Sequence, residues 1–91
     1  MSVKFDGFEF DNNFYDAEVD VLYLHVGDPH DDVDWDESVE GHGVSYATEG
    51  RLNGLTILNA RRTLEKDGRI VVTLPERRLE ARDLDDVLTP A

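Results

Sequence analysis

The sequence predicts an α+β, β-rich fold: an antiparallel, meander-like sheet of about five or six strands with one or two short helices on one face. Several short runs combine β-branched and aromatic residues with alternation, which is typical of strands. Glycine, proline, asparagine and aspartate separate these runs and indicate tight turns. The 91 residues contain no repeat or linker, so we expect one small domain spanning residues 1–91.

The clearest element is a β-hairpin in the middle of the chain. Its arms are residues 44–47 and 52–58, both rich in β-branched or aromatic side chains. Residues 48–50 supply the loop, and Gly50 can take the positive φ that such a loop needs.

Two strands and a turn are predicted before this hairpin. Residues 8–15 form the first candidate strand, although Asn12 and Asn13 weaken its middle. Residues 16–19 are expected to turn, because an aspartate can accept a hydrogen bond from the backbone two residues further on. Residues 21–26 form the next strand, which ends at residues 27–29.

The strand at 21–26 has apolar residues on both of its faces. Leu22, Leu24 and Val26 alternate with Val21, Tyr23 and His25. One face of the sheet is therefore expected to be covered by a second copy, which predicts a homodimer.

An acidic segment occupies residues 28–41. Val33 and Trp35 alternate there with Asp32, Asp34 and Asp36, which predicts a strand with apolar side chains inward and acids outward. Charge on the outer face is typical of an exposed edge strand, because it opposes pairing with another chain. Trp35, the only tryptophan, is expected to pack beside the hairpin.

After the hairpin, the sequence favours a helix at residues 60–66. Asn59 is the expected N-cap and Gly68 the residue that ends the helix. An alternative extends the strand to Leu64 and places a hairpin turn at residues 67–68. Good helix formers without alternation favour the helix.

Two strands and a final turn follow. Residues 69–74 predict a strand ended by Pro75, which cannot donate to a ladder, and residues 78–82 predict a short edge strand. The strand at 69–74 is expected to place Ile70, Val72 and Leu74 on one face. A last helical turn is predicted to start at Asp83, to bury Leu84, Val87 and Leu88, and to close at Pro90.

Charge is unevenly distributed along the chain. The formal net charge is -12; residues 1–50 carry 14 acidic and one basic residue (net -13), and residues 51–91 carry 7 acidic and 8 basic residues (net +1). Such a surface repels nucleic acid and suits a basic partner. No cysteine, secretory signal or membrane-spanning run is present, so we expect a cytoplasmic protein that does not contact the membrane.

The acidic segment offers one candidate metal site. Asp32, Asp34 and Asp36 match positions 1, 3 and 5 of a calcium loop, but Glu37 and Gly43 occupy positions that require glycine and glutamate. A weaker site built from these aspartates with His30 and His42 is the alternative. A solvated acidic strand face explains the same residues without a metal.

Arginines and Trp35 are the candidate partner-binding residues. The pairs Arg61-Arg62 and Arg77-Arg78 are expected to form one basic patch if the helix packs near the turn after Pro75, and could contact an acidic partner surface. The alternative is that they pair with the protein's own acidic half. No catalytic motif or cofactor fingerprint is present.

Two blocks resemble an uncharacterised bacterial and archaeal family known as domain of unknown function 2283. They are Tyr15-Asp16-Ala17-Glu18-Val19-Asp20-Val21-Leu22-Tyr23-Leu24 and Glu49-Gly50-Arg51-Leu52-Asn53-Gly54-Leu55-Thr56-Ile57-Leu58-Asn59-Ala60. The resemblance covers most of residues 15–60 and implies a compact β-rich domain without an assigned activity, for which an antitoxin-like role is conceivable. The chain departs from the family in its longer acidic segment and its C-terminal extension at 69–88.

Taken together, these features predict a small, acidic, non-enzymatic interaction module without a cofactor, possessing an affinity for itself or for a basic protein. The alternative hypothesis is a weak metal- or small-ligand-binding protein that uses residues 31–42.

Overall fold

The computed structural model describes residues 3–27 and 32–88. Within these ranges the chain forms antiparallel strands, a 3-10 turn at Thr48–Gly50 and an α-helix. In chain order the elements are β1 (Val3–Phe5), β2 (Phe8–Phe10), β3 (Asn12–Asp16), β4 (Val21–His25), β5 (Asp32–Glu37), β6 (Gly43–Ala47), β7 (Leu52–Leu58), α1 (Ala60–Asp67), β8 (Ile70–Thr73) and β9 (Arg78–Ala81).

The central element is a five-stranded antiparallel sheet with the order β3-β4-β7-β6-β5. Two separate hairpins, β1-β2 and β8-β9, accompany it. This architecture confirms the predicted α+β, β-rich class. The predicted hairpin is also confirmed: it is formed by β6 and β7, Gly50 has a φ of 76°, and the Ala47 N–H donates to the Arg51 carbonyl at 2.8 Å.

The hydrophobic core lies on one face of the five-stranded sheet. Because successive strand residues point to opposite faces, Leu22 and Leu24 of β4 pack inward together with Leu55 and Ile57 of β7, and all four are buried. The two hairpins, α1 and the C-terminal segment cover this face with the buried residues Phe5, Phe10, Leu64, Ile70, Val72 and Leu88.

The predicted strand at 8–15 is wrong as a single strand. The chain leaves the β1-β2 hairpin at Phe10 and enters the five-stranded sheet at Asn12. Asp11 lies between them, and its Oδ1 accepts a hydrogen bond from the Gly27 N–H at 3.0 Å. Alternation continues on both sides of Asp11, so the pattern alone does not reveal the change of sheet.

The helix prediction is confirmed against the alternative of a longer strand, but its predicted cap is wrong. Gly68, at a φ of 74°, ends α1, and its N–H donates to the Leu64 carbonyl at 2.8 Å. Asn59 makes no side-chain cap hydrogen bond. Instead the carboxylate of Asp20 accepts from the backbone N–H groups of Arg61 and Arg62, at 2.8 and 3.2 Å.

The C-terminal segment forms the predicted helical turn. The Leu88 N–H donates to the Leu84 carbonyl four residues earlier at 2.9 Å, and the Val87 N–H donates to the same carbonyl at 3.0 Å. Leu84 and Leu88 are buried, and Val87 is partly buried against the core. Upstream, β8 and β9 confirm the two predicted strands, which pair with each other. The predicted stops at 28–29 and at Pro90 lie outside the described residues.

Candidate functional site

The second face of the five-stranded sheet is open and carries large apolar side chains. Phe14 of β3 lies opposite Tyr23 of β4, with their rings stacked at a centroid distance of 6.1 Å. Trp35 of β5 and Leu58 of β7 lie on the same face, by the register of the sheet. Phe14 is 61%, Tyr23 44%, Trp35 67% and Leu58 43% exposed. We call this surface the open face.

A groove of about 330 Å³ crosses the open face. Tyr23 and Trp35 form its opposite sides, and small residues of β6 and β7 lie between them. In one row across the sheet Tyr23 is followed by Thr56 and Gly43, and in the next row Gly54 and Ser45 separate His25 from Trp35. The groove exists because the short side chains of glycine, serine and threonine on β6 and β7 project less from the sheet than the aromatic side chains on either side.

A cluster of polar side chains closes one end of the groove. His25 Nε2 lies 2.8 Å from Asp32 Oδ1 and 3.0 Å from Oδ2, and its Nδ1 lies 3.2 Å from the Gly27 carbonyl. The Asn53 side-chain amide donates to Asp32 Oδ1 at 2.6 Å. Asn53 is 1% exposed, so this hydrogen bond satisfies a buried polar group. We call His25, Asp32, Ser45 and Asn53 the polar cluster.

Gly54 makes the polar cluster possible. A Cβ atom at this position would lie 2.5 Å from Ser45 Oγ and 2.9 Å from His25 Cδ2, which is closer than van der Waals contact permits. A register shift between β6 and β7 next to it marks a bulge. A bulge and a close approach by neighbours are the two common reasons for a glycine inside a strand, and both are present at Gly54.

The polar cluster keeps Asp32 ionised. Burial raises the pKa of Asp32, but hydrogen bonds from Asn53, His25 and Ser45 outweigh it and bring the pKa below its usual value. Ser45 bonds to the carboxylate, whereas activation of a serine nucleophile needs contact with the imidazole. The arrangement therefore places a fixed negative charge at the end of the groove.

The predicted orientation of the acidic strand is wrong. β5 is an edge strand, as expected, but its apolar residues Val33 and Trp35 point into solvent instead of packing inward. Asp32 is the residue that turns in, and its side chain is only 9% exposed. A register shift between Asp32 and Asp34 adds an extra residue to β5, and the polar cluster supplies the hydrogen bonds that hold Asp32 inside.

The structure separates the residues of the candidate metal site. Asp34 and Asp36 each accept a hydrogen bond from the N–H of the following residue, at 2.9 and 2.8 Å. His42 is buried at the other end of the β5-β6 pair from Asp32, and His30 lies outside the described residues. Among the described residues, no group of three or more His, Asp or Glu side chains is placed to hold a metal ion.

His42 has a structural environment of its own. Its Nδ1 accepts a hydrogen bond from the backbone N–H of Leu58 at 3.1 Å. Burial lowers the pKa of His42, and the nearby charge of Glu40 opposes this only in part. The neutral imidazole is therefore the form that the fold accommodates.

The two arginine pairs do not form one basic patch, so that prediction is wrong. Arg61 follows the Leu58 end of β7 and donates to the Leu88 carbonyl and to Glu65. Arg77 lines a cavity at the other end of β7, beside Leu52. Seven strand residues separate these ends, a span of roughly 20 Å at about 3.3 Å per residue.

Most of the arginine ion pairs lie within the C-terminal half. The Glu80 carboxylate lies 2.9 Å from Arg82 Nη2 and 3.5 Å from both Arg69 Nε and Arg78 Nη1. In the N-terminal half, Asp20 bonds the backbone N–H groups of Arg61 and Arg62, and Tyr15 interacts with the Arg61 side chain. Among the ion pairs of the described residues, the arginine side chains pair with Glu65 and Glu80 of the C-terminal half.

The charge of the five-stranded sheet is entirely negative. Its strands contain five carboxylates and no lysine or arginine. The carboxylates belong to Asp16, Asp32, Asp34, Asp36 and Glu37. By the register of the sheet, Asp16 and Glu37 lie on the open face, whereas Asp34 and Asp36 alternate to the opposite face. Together with Asp32 at the end of the groove, these two carboxylates give the open face negative charge beside its aromatic side chains.

Sequence reasoning identified Trp35 but missed Phe14, Ser45 and Asn53 as site residues. Alternation along β3 and β4 was the available signal for Phe14 and Tyr23. No local signal pointed to Asn53, because its partner Asp32 lies 21 positions away in the chain.

Comparison with known proteins matched no family model, no curated protein and no solved structure. The resemblance to domain of unknown function 2283 therefore stays a prediction. No helix among the described residues is long and apolar enough to span a membrane.

Proposed function

We propose that this protein is a small, acidic, non-enzymatic interaction module that binds another protein through its open face. The observation that supports this most directly is the set of exposed apolar side chains on that face: Phe14, Tyr23, Trp35 and Leu58. Contiguous exposed apolar surface marks interaction sites, and tyrosine and tryptophan are enriched at protein interfaces.

The charge of the sheet supports a basic partner. Carboxylates without a neighbouring lysine or arginine on the five strands attract a cationic protein surface and accelerate encounter. The resemblance noted above adds an antitoxin-like role, in which the partner is a small basic protein such as a ribonuclease. Aromatic contacts then supply affinity, and the carboxylates supply selectivity.

The proposal includes a homodimer formed through the same face, and the dependence of affinity on salt concentration distinguishes this homodimer from a complex with a basic partner. Two open faces stacked together bring like charges close, so a homodimer should strengthen as salt rises and screens the repulsion. A basic partner should weaken under the same change, because salt screens the attraction.

The experiment compares a variant on the open face with a matched variant elsewhere. Tyr23→Ser removes an aromatic side chain at the centre of the face, whereas Val39→Ser removes an apolar side chain that is 82% exposed and lies outside the sheet. Molar mass by light scattering at low and high salt reports the homodimer. Calorimetric titration with small basic proteins, starting with any that is encoded beside this chain's gene, reports the partner.

We expect Tyr23→Ser to weaken whichever complex forms by about 2 kcal/mol, or roughly 30-fold, and Val39→Ser to change it little. The proposal fails if the protein stays monomeric at every salt concentration and binds no neighbouring basic protein. It also fails if both serine variants weaken the complex equally.

A further inference from the structure

The groove between Tyr23 and Trp35 has the dimensions of a receptor for one long side chain. The two aromatic residues lie on β4 and β5, which are separated by β7 and β6. Three strand spacings correspond to about 14 Å. Between the walls, the small residues Gly43, Ser45 and Thr56 line the floor, so a flat group can lie against the sheet and contact an aromatic ring.

The chemistry of the groove points to a cation. Asp32 contributes to its lining, Glu37 of β5 lies on the same face opposite Gly43, and the strands around the groove provide no lysine or arginine of their own. Tyr23 and Trp35 present faces that attract cations. An apolar stem on the intruding side chain would fit against the aromatic walls.

We propose that the groove receives an arginine side chain of a basic partner protein, with its guanidinium stacked on Trp35 or Tyr23 and paired with the groove carboxylates. This inference rests on the proposed interaction function and names the anchor of the partner. Arginine matches the groove better than lysine because its planar guanidinium stacks on aromatic rings and binds carboxylates through two parallel hydrogen bonds.

Charge complementarity favours a basic partner over a second copy as the occupant. In a face-to-face homodimer, the strands of the second copy would present carboxylates, and no arginine or lysine, to this groove. A partner that carries an exposed arginine relieves the repulsion among the carboxylates of the open face. One arginine side chain of the partner would then both fill the groove and neutralise its negative charge.

Trp35 provides the assay, since it is the only tryptophan of the chain and forms a wall of the groove. The probe is a short arginine-containing peptide without aromatic residues, titrated at low salt while Trp35 fluorescence is recorded. The same peptide with citrulline in place of arginine keeps the shape without the charge. The same peptide with lysine in place of arginine keeps the positive charge but lacks the planar guanidinium.

Two variants test the location of binding while retaining the reporter. Thr56→Leu fills the floor of the groove, and we expect it to remove the saturable fluorescence change. Glu37→Gln removes a carboxylate that lies on the open face opposite Gly43 and should weaken binding by up to about fivefold, the upper range for a solvent-exposed ion pair. Asp86→Asn removes one charge from the C-terminal turn and should leave the affinity almost unchanged. Thermal unfolding verifies that each variant is folded.

The inference is supported if the arginine peptide gives a saturable change, the citrulline peptide gives none, and the lysine peptide binds more weakly. It is overturned if arginine and citrulline peptides act alike, or if Asp86→Asn weakens binding as much as Glu37→Gln. If the peptides fail while Tyr23→Ser still disrupts a protein complex, the groove inference falls and the open face remains an interaction surface. If Tyr23→Ser disrupts no complex, the proposed function falls with it.

Discussion

Asp20 connects the β3-β4 turn to helix α1, and its removal should destabilise the fold more than any other carboxylate of that turn. Its side chain accepts hydrogen bonds from the backbone N–H groups of Arg61 and Arg62 and from the Tyr15 hydroxyl at 2.7 Å. Its own carbonyl accepts from the Ala60 N–H at 3.0 Å. These contacts satisfy donors at the start of α1 that have no partner within the helix.

The expected magnitude for Asp20→Ala has two parts. Loss of an N-cap costs about 0.5–2 kcal/mol, and alanine at the φ of 57° that Asp20 adopts adds about 1 kcal/mol of backbone strain. The free energy of unfolding should therefore fall by about 1.5–3 kcal/mol. For a domain of this size the melting temperature should drop by roughly 6–24 °C. Asp20→Gly removes the carboxylate without the strain and separates the two parts.

Chemical denaturation with urea measures these free energies, and Asp16→Ala is the matched control. Asp16 lies in the same turn but accepts only the N–H of Glu18 in the contacts described, at 3.1 Å, so its loss should cost less than about 1 kcal/mol. Equal destabilisation by Asp16→Ala and Asp20→Ala would refute the idea that Asp20 caps α1.

The pH dependence gives an independent check on Asp20. Partial burial raises its pKa, but hydrogen bonds from the Arg61 N–H, the Tyr15 hydroxyl and the Arg62 N–H outweigh this and lower the pKa below 3.8. A lowered carboxyl pKa stabilises the fold above the unfolded pKa, and the contribution is lost as pH falls through the folded pKa. The stability difference between wild type and Asp20→Asn should therefore shrink below about pH 4. A difference that stays constant down to pH 2 would contradict this assignment.

Two further predictions concern His42 and Gly54. Because the pKa of His42 is lowered in the folded protein, the unfolded chain takes up a proton first as pH falls below 6.5, and the wild type should lose stability there. In His42→Asn the amide oxygen can replace Nδ1 as acceptor without titrating. Urea denaturation between pH 7 and pH 5 should therefore show a smaller loss of stability for His42→Asn than for the wild type. A difference between the two proteins that is independent of pH would rule this out. Gly54→Ala should destabilise the fold by about 2–3 kcal/mol, because its Cβ would lie 2.5 Å from Ser45 Oγ and 2.9 Å from His25 Cδ2. The double variant Gly54→Ala/Ser45→Ala should recover part of that stability. No recovery would show that the Ser45 side chain is not what the added Cβ clashes with.

Features encoded by neighbouring residues were predictable. Gly50 and Gly68 mark the hairpin loop and the end of α1, and both have the positive φ that the sequence suggested. Alternation placed Leu22 and Leu24 on the core face of β4. Each of these signals lies within a few residues of the element it defines, so no knowledge of the sheet order was needed.

The features that the sequence did not predict depend on hydrogen bonds between residues that are distant in the chain. Asp20 caps helix α1 by accepting the N–H of Arg61, 41 positions later, a contact that exists only because β3, β4 and β7 are neighbours. Asp32 turns inward because Asn53 and His25 supply hydrogen bonds from other strands. Propensity and periodicity describe local backbone and burial, whereas hydrogen bonds between distant segments depend on sheet order. The sequence by itself thus determined the fold class, the main hairpin and the negative charge. Only the tertiary structure placed Trp35 and Tyr23 on the same exposed face and formed the groove between them.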